Sequence, residues 1–346
     1  MNSIHPIADD PLLHQLPSYA HPLSILLLDK ERNFPYLLND FILPAADTER
    51  GGLCNAAYDW MYIGHGAMSY ECGVFPRDML EEPEALLDFL LAMLRHGRYC
   101  LMNLDEFHCR FSNRYHREHA VGGFLINGMD TEREQISLCG YTKKGRYTQS
   151  LLSLAEFLRA TDGSSPGLII HCLRPNRTTP SPTFDAAAFF RQIRAYADPD
   201  GPAGQPAGYV YGLAALSVFI DQIVSARKQR TAVPTGSALT LREHTVLMGA
   251  RLSYLAEKGI LEPEFPARFS KIRRLADDIA ALATACSDTG RQPVGEFYSL
   301  AVDYRRTQTL SLLEEMEKKA IHLRREEQLF FAELERAEIR EGTENA

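Results

Sequence analysis

The sequence predicts an α+β fold, in which a domain with an antiparallel sheet is followed by an all-helical C-terminal region. Short β-prone runs separated by turn residues dominate positions 99–173, a pattern typical of strands. Beyond position 208 the apolar residues recur at helical spacing. A stretch rich in Pro and Gly separates the two patterns and predicts a linker at 198–208. The predicted division is therefore a first domain at 1–197 and a helical region at 209–346.

The composition is that of an ordinary globular protein and argues against several functions. Of the 346 residues, 45% are hydrophobic and 24% are charged. A net charge of −8 disfavours a nucleic-acid partner, which requires a basic surface. The longest apolar run near the N-terminus, 23–28, is too short to span a bilayer. Seven cysteines without a CxxC pair predict reduced thiols. We therefore expect a cytoplasmic protein that does not bind membranes.

The first part of the chain combines a proline-rich entry segment with one clear helix. Four prolines interrupt the segment 12–46, and because proline breaks helices, this predicts a looping, packed chain: Pro17, Pro22, Pro35 and Pro44. A helix is predicted at 83–96, since Pro83 suits a first helical position and Gly97 a stop. Its buried stripe is predicted to consist of Leu86, Leu87, Leu90, Leu91 and Leu94.

The central part predicts the strands of one sheet, at 99–104, 120–127, 135–141 and 168–173. The second and third strands are expected to form an antiparallel hairpin around 128–134, with Asp130 accepting hydrogen bonds from backbone amides in the turn. The spacing of Ser153 and Glu156 is that of a capping box, which predicts a helix from there to about 160.

The C-terminal region predicts four helices, at 209–227, 241–258, 266–285 and 307–340. The second is expected to begin at a capping box formed by Thr240 and Glu243. In the last helix an apolar seam is interrupted at Glu327, and it consists of Leu313, Met316, Ala320, Leu323, Phe330 and Leu334. This seam favours packing within the chain's own domain, with a homodimer through the C-terminal helices as the alternative.

The order of motifs at 103–160 resembles a known family. An acidic strand end is followed by a His-bearing loop, a strand ending in Gly-x-Asp, a second strand and a capped helix. This order is similar to the C-terminal half of papain-like folds, above all to proteins related to the N-terminal domain of butirosin biosynthesis protein H. Segments 36–42 and 239–255 resemble the same family. The resemblance implies a papain-like first domain and thiol-dependent acyl chemistry, in which an acyl group moves from a carrier protein to an amine.

Such chemistry requires a thiolate, a base that takes its proton and a group that orients the base. Cys54, in the segment GGLCNAAYDWM, is the candidate nucleophile, because neighbouring glycines allow a substrate to approach the backbone. The alternative is that Cys54 is a buried structural cysteine. For the base, the resemblance points to Gly122, where papain-like relatives carry the catalytic His. His119 is therefore the predicted base, with His116 as the alternative.

The remaining polar residues of this region complete the predicted site. The expected orienting residue is not evident, since the next strand offers Ser137, Cys139 and Tyr141 in place of Asp or Asn. Asp105 and Glu106 end a strand and are predicted to contact substrate. The cluster of His108, Cys109, His116 and His119 matches no zinc motif, so no metal is predicted. No nucleotide-binding loop is evident, and no cofactor is predicted.

The predicted function is a thiol-dependent acyl or aminoacyl transferase that forms amides in natural-product biosynthesis. An acyl carrier protein or a small-molecule substrate is the expected partner. Two alternatives remain open: a catalytically silent papain-like scaffold that binds a carrier protein, peptide or small molecule, and a cysteine hydrolase of amides or thioesters.

Overall fold

The fold is that of a computed structural model. The structure describes residues 2–8, 17–39, 44–47, 53–55, 68–76, 83–141, 147–162, 167–177, 183–198, 208–229, 231, 235–289 and 298–344. The chain divides into two compact units. The first comprises Met1–Leu37 and Asp59–Thr183, and the second comprises Leu38–Tyr58 and Phe184–Ala346.

The two types of secondary structure are distributed unequally along the chain. The strands are β1 (Asn2–Ile4), β2 (Pro44–Asp47), β3 (Leu53–Asn55), β4 (Met68–Pro76), β5 (Tyr99–Asp105), β6 (Val121–Asp130), β7 (Gln135–Tyr141), β8 (Tyr147–Ser153), β9 (Gly167–Pro175) and β10 (Tyr209–Tyr211). The α-helices are α1 (Pro17–Leu26), α2 (Lys30–Asn39), α3 (Pro83–Arg95), α4 (Leu154–Asp162), α5 (Ala186–Ala197), α6 (Gly212–Gln229), α7 (Thr235–Glu257), α8 (Glu264–Thr289) and α9 (Tyr298–Glu344). This arrangement confirms the predicted α+β class. Among the described residues, no helix combines the length and the apolar character needed to cross a membrane.

The first unit is built on an antiparallel sheet with the strand order β4-β9-β5-β6-β7-β8, and β1 pairs with β6. The four predicted strands of this region are confirmed as β5, β6, β7 and β9. Leu101 of β5 lies opposite Leu125 of β6, which lies opposite Cys139 of β7. One face of the sheet packs against α3 and α4, where Leu90, Phe124 and Phe157 contribute to one apolar core. The loop that joins β5 and β6 is thus anchored on two strands in the interior of the sheet.

The hairpin between β6 and β7 is tighter than predicted. β6 continues to Asp130, which pairs with Gln135, so only 131–134 form the turn. The Asp130 carboxylate accepts hydrogen bonds from the amides of Glu132 and Arg133, each at 3.1 Å. The predicted role of this aspartate in the turn is confirmed.

The predicted helices of the first unit are confirmed, and the proline-rich segment provides two more. In α3, the stripe Leu86, Leu90, Leu91 and Leu94 is buried, whereas Leu87, its fifth predicted member, is only partly buried. At the start of α4, Glu156 Oε2 accepts from the Ser153 amide at 2.9 Å, as a capping box requires. The prediction of a looping chain at 12–46 was wrong for 17–39, where α1 contains Pro22 and α2 contains Pro35. Residues 12–16 and 40–43 lie outside the described residues. Burial of Leu23, Ile25 and Leu26 in α1, and of Leu38 in α2, offsets the backbone hydrogen bonds that the prolines remove.

The second unit consists of α5 to α9 and a small sheet with the order β10-β2-β3. Its first helix, α5, precedes the predicted linker at 198–208, so the domain boundary lies earlier in the chain than predicted. The reason is the apolar face of α5, where Phe189, Ile193 and Tyr196 are buried in the core of the C-terminal helices. Most of the predicted linker lies outside the described residues.

Two details of the predicted helical region need correction. The segment 209–211, predicted to be helical, forms β10, and this strand pairs with β2. The predicted capping box does not begin α7, because that helix starts at Thr235 and places Thr240 and Glu243 in its interior. Both side chains are buried there, so tertiary packing rather than local capping decides where the helix begins.

The apolar seam of α9 faces the core of its own unit. Its six predicted members are all buried within this single chain: Leu313, Met316, Ala320, Leu323, Phe330 and Leu334. Glu327, which interrupts the seam, is buried among them. The interpretation as a helix packed on its own domain is confirmed. A homodimer through the C-terminal helices stays a prediction and requires a different face.

Candidate active site

The candidate site begins at the end of β5, where Asp105 is 2% exposed. The strand turns there into a short 3₁₀ helix, Glu106–His108. Asp105 caps this turn, because its Oδ1 accepts from the amide of Phe107 at 3.0 Å and from that of Ala120 at 3.3 Å. These two contacts join the two ends of the loop and fix the direction of the second carboxylate oxygen.

The second carboxylate oxygen, Oδ2 of Asp105, is hydrogen-bonded to His119. Its Nδ1 lies 2.6 Å from Asp105 Oδ2, and its ring stacks on Phe107 with a centroid distance of 4.1 Å and an interplanar angle of 15°. The His119 side chain is 68% exposed, although its carboxylate partner is only 3% exposed. Nε2, on the opposite side of the ring from the carboxylate, is thus the ring nitrogen available for proton transfer. This is the arrangement of an imidazole oriented by a buried acid.

The electrostatics of Asp105 favour its ionised form. Burial raises the pKa of this carboxyl group, but hydrogen bonds from His119 and from the Phe107 and Ala120 amides oppose that effect. The net result is a pKa below its ordinary value. At neutral pH the site therefore presents an anionic acceptor to Nδ1 of the imidazole.

A cavity of about 430 Å³ lies beside the pair and is lined by Asp105, His108, His119, Ala120, Val121, Arg159 and Asp162. His108 is half-buried, and its ring centroid lies 6.1 Å from that of His119. One nitrogen or oxygen of each of Asp105, His108 and His119 lies within 4.8 Å of the others. These three residues are the candidate ligands for a metal ion.

Position 122, where the sequence resemblance predicted a histidine, is a glycine with the Glu106 side chain packed beside it. A Cβ atom on Gly122 would lie 2.7 Å from Oε1 of Glu106. The other oxygen of Glu106, Oε2, accepts a 2.5 Å hydrogen bond from Ser112 Oγ, which holds the carboxylate in this place. Both predicted substrate-binding residues, Asp105 and Glu106, are thus engaged within the loop. Whether either contacts a substrate stays a prediction.

The carboxylate that contacts His119 lies on a different strand from the one on which an orienting residue was expected. We expected it on β7, where Ser137 instead donates to Asn127 Oδ1 at 2.9 Å and Cys139 is buried. Asp105 on β5 contacts His119 instead. The alternative base, His116, stacks on Tyr115 at 4.0 Å. Phe107, which positions the His119 ring, was not identified from the sequence, and an isolated Phe gives no signal of that role.

The predicted nucleophile and base belong to different units. The backbone of Cys54 lies in β3, opposite Ala45 of β2, in the second unit. Its side chain lies outside the described residues, and His119 belongs to the first unit. The pairing of Cys54 with His119 therefore stays a prediction.

The described thiols are buried: Cys100, Cys109, Cys139, Cys172 and Cys286. Burial raises the pKa of Cys109 and that of Cys139 to about 12 each, so both remain protonated at neutral pH. Cys172 lies opposite Cys100 on the neighbouring strand. A hydrogen bond from Cys100 lowers the pKa of Cys172, and the positive charge of Arg98 acts in the same direction.

Alkylation of the folded protein is expected to modify Cys172 before Cys109 and Cys139, because the thiolate is the reactive form. The measurement is a time course with iodoacetamide at neutral pH, followed by peptide mapping. Modification of Cys109 or Cys139 as fast as that of Cys172 would contradict the expectation. The rate at Cys172 also sets the reference for Cys54, since an activated nucleophile must react faster.

A scan against protein-family models finds no match for the sequence, and a search of curated proteins finds none either.

Proposed function

We propose that the protein is a cytoplasmic, thiol-dependent acyl or aminoacyl transferase that forms amides in natural-product biosynthesis. The observation that carries the proposal is the contact between Asp105 and His119, a buried carboxylate 2.6 Å from an exposed imidazole. This contact fixes the imidazole tautomer with its proton on Nδ1 and leaves Nε2 as the proton acceptor. General bases of this construction activate nucleophiles in acyl transfer.

The proposed reaction has two steps. In the first, His119 takes the proton of the Cys54 thiol, and the thiolate attacks the carbonyl of a thioester. The carbon–sulfur bond to the carrier breaks, and the leaving thiolate receives the proton from His119. In the second step an amine attacks the acyl-cysteine, His119 accepts the amine proton, and the Cys54 sulfur leaves and recovers that proton. The acceptor is an amine, and the donor is a carrier protein or a small thioester.

The experiment uses acyl N-acetylcysteamine thioesters as donors and a panel of primary amines as acceptors. Intact mass spectrometry is expected to show one acyl group per chain, and peptide mapping is expected to place it on Cys54. Cys54→Ala and His119→Ala should each abolish amide formation, and the double variant should lose no more than either single variant, because the two groups act as one unit.

His116→Asn is the matched control, since His116 is an exposed histidine of the same loop and Asn tolerates its positive φ of 54°. This variant should retain the wild-type rate. An adduct on another cysteine, or a His119→Ala variant with undiminished turnover, would contradict the proposal.

One observation favours a second candidate, a catalytically silent scaffold that binds a carrier protein, peptide or small molecule. Glu106 fills the space beside Gly122, where the family's histidine would lie. A protein that had lost its base could close the position in this way. Under this alternative no thioester acylates any cysteine. The affinity for a carrier protein, measured by calorimetry, is the same in Cys54→Ala as in the wild type.

A further inference from the structure

We infer that Asp105, His108 and His119 form a binding site for a divalent transition-metal ion of the zinc class. One ligand atom from each residue lies within 4.8 Å of the other two. Two imidazoles and one carboxylate are a donor set that zinc and iron(II) both accept, with solvent in the remaining positions. The sequence alone did not indicate this set, because its spacing matches no zinc motif.

The three side chains are held in place by one aromatic ring and two backbone amides. Phe107 stacks on His119 at 4.1 Å and meets His108 edge-on, with ring centroids 5.1 Å apart. Oδ1 of Asp105 is fixed by the amides of Phe107 and Ala120, which leaves Oδ2 for an ion. Supporting contacts of this kind keep a metal site organised before the ion arrives.

Binding requires only small movements of the His119 and His108 side chains. Ligand atoms around tetrahedral zinc lie about 3.3 Å apart, given bonds of about 2.0 to 2.2 Å. The 2.6 Å contact between Asp105 and His119 must therefore widen slightly, and His108 must approach. The His119 side chain is 68% exposed, and a small rotation in the plane of its ring keeps the stacking on Phe107. Nδ1 then binds the ion, and the neutral ring carries its proton on Nε2.

Two carboxylates and one guanidinium line the cavity, and their charges affect the affinity for a cation. Asp105 supplies the negative charge that a cation needs, and Asp162 adds a second carboxylate to the cavity wall. Arg159 lines the same wall and opposes a cation, but its Nε donates to the Ala155 carbonyl at 3.2 Å. This bond ties the guanidinium to its own helix, α4.

The other members of the His-rich cluster do not join the site. The Cys109 thiol is buried and lies 3.6 Å from the Asp105 carbonyl oxygen, to which it donates. His116 stacks on Tyr115 and, with ring centroids 5.3 Å apart, on Phe107, and its amide donates to the Phe107 carbonyl at 3.0 Å. His116 is thus a histidine of the same loop that lies outside the ligand set, and it serves as a matched control.

An ion at this site occupies the imidazole that the proposed function uses as its base. Metal binding should therefore inhibit amide formation. This consequence rests on the proposed function, whereas the metal site itself does not.

The test is titration of the full chain, freed of metal by a chelator, with Co²⁺ and Zn²⁺. Calorimetry is expected to show one equivalent of either ion, and visible absorption of bound Co²⁺ reports its coordination. X-ray absorption of the zinc-loaded protein should show imidazole ligands. His108→Ala should weaken binding by at least about 100-fold, since loss of supporting contacts alone costs 10- to 100-fold. His116→Asn removes no ligand and only one ring that stacks on Phe107, so it should weaken binding far less than His108→Ala.

Two results would overturn the site: no saturable equivalent in the wild type, or equal weakening in His116→Asn and His108→Ala. Circular dichroism of both variants separates loss of ligands from loss of fold, and the absorption spectra of the wild type do not depend on any variant. If the ion binds and no donor is ever turned over, the metal site stands and the proposed function fails. If turnover is found and the ion does not bind, the reverse holds.

Discussion

Under the proposed function, replacement of Asp105 by Asn is expected to lower the rate of amide formation by about 10⁴-fold, the effect of the corresponding change in Ser-His-Asp hydrolases. The side-chain oxygen of the asparagine can keep the amide bonds to Phe107 and Ala120. Its NH₂ group then faces Nδ1 of His119, where Oδ2 of the acid now lies. An NH₂ donor there forces the imidazole proton onto Nε2, so this nitrogen can no longer accept a proton.

The measurement is the steady-state rate with a thioester donor and an amine acceptor, on protein whose fold is checked by near-ultraviolet circular dichroism. Asp130→Asn is the matched control. Asp130 also accepts two backbone amides with one carboxylate oxygen, in a turn of the same sheet. We expect the wild-type rate from this variant. Equal losses in the two variants would show that the sheet rather than the base has been disturbed.

Much of the fold could be predicted because its periodicity is local. Short apolar runs between turn residues predict β5, β6 and β7. A leucine stripe between Pro83 and Gly97 predicts α3. The spacing of Ser153 and Glu156 alone was enough to predict where α4 begins. Each of these signals depends on contacts between residues close in the sequence.

The errors arise where packing outweighs local preference. α1 and α2 form despite internal prolines, since their apolar residues are buried. β10 forms because Tyr209–Tyr211 pairs with β2, more than 160 residues earlier in the chain. Immediately after β10, Gly212 adopts a φ of +56°, and a Cβ there would lie 2.1 Å from the Tyr196 carbonyl oxygen. Such long-range contacts leave no periodic trace in the sequence.

Two residues of the candidate site were singled out from the sequence, but the contact between them was not predicted. Asp105 and His119 were both identified, but their contact depends on how the loop between them folds back. The two amide bonds from Phe107 and Ala120 cause that return, and backbone donors are not visible in a sequence. The absence of a histidine at position 122 was evident from the sequence, whereas the carboxylate that fills the space was not.

Glu327 of α9 is a buried carboxyl group, although the sequence showed it only as an interruption of an apolar seam. Glu327 interrupts the apolar seam and is 0% exposed. Tyr196 donates to its Oε2 at 2.5 Å, and Oε1 has no hydrogen-bond partner among the described residues. Burial raises the pKa of Glu327 from 4.5 to about 8, although the bond from Tyr196 acts in the opposite direction. The carboxyl group is therefore largely protonated at neutral pH.

Replacement of Glu327 by Gln should remove a pH-dependent loss of stability. The native state retains a proton that the unfolded chain releases above its lower pKa, so the free energy of unfolding falls as the pH rises from 4.5 towards 8 and is flat beyond. At about 1.4 kcal/mol per pKa unit, the loss between about pH 6 and pH 9 is on the order of a few kcal/mol. Because Gln is neutral throughout, the variant should be the more stable protein at pH 9. Urea unfolding at both pH values measures this difference in the free energy of unfolding.

Glu315→Gln is the control, since the Glu315 side chain is 58% exposed on the same helix. This variant should keep the wild-type dependence of stability on pH. Parallel slopes for Glu327→Gln and the wild type would mean that Glu327 is ionised in the core, with its charge offset by a neighbouring group.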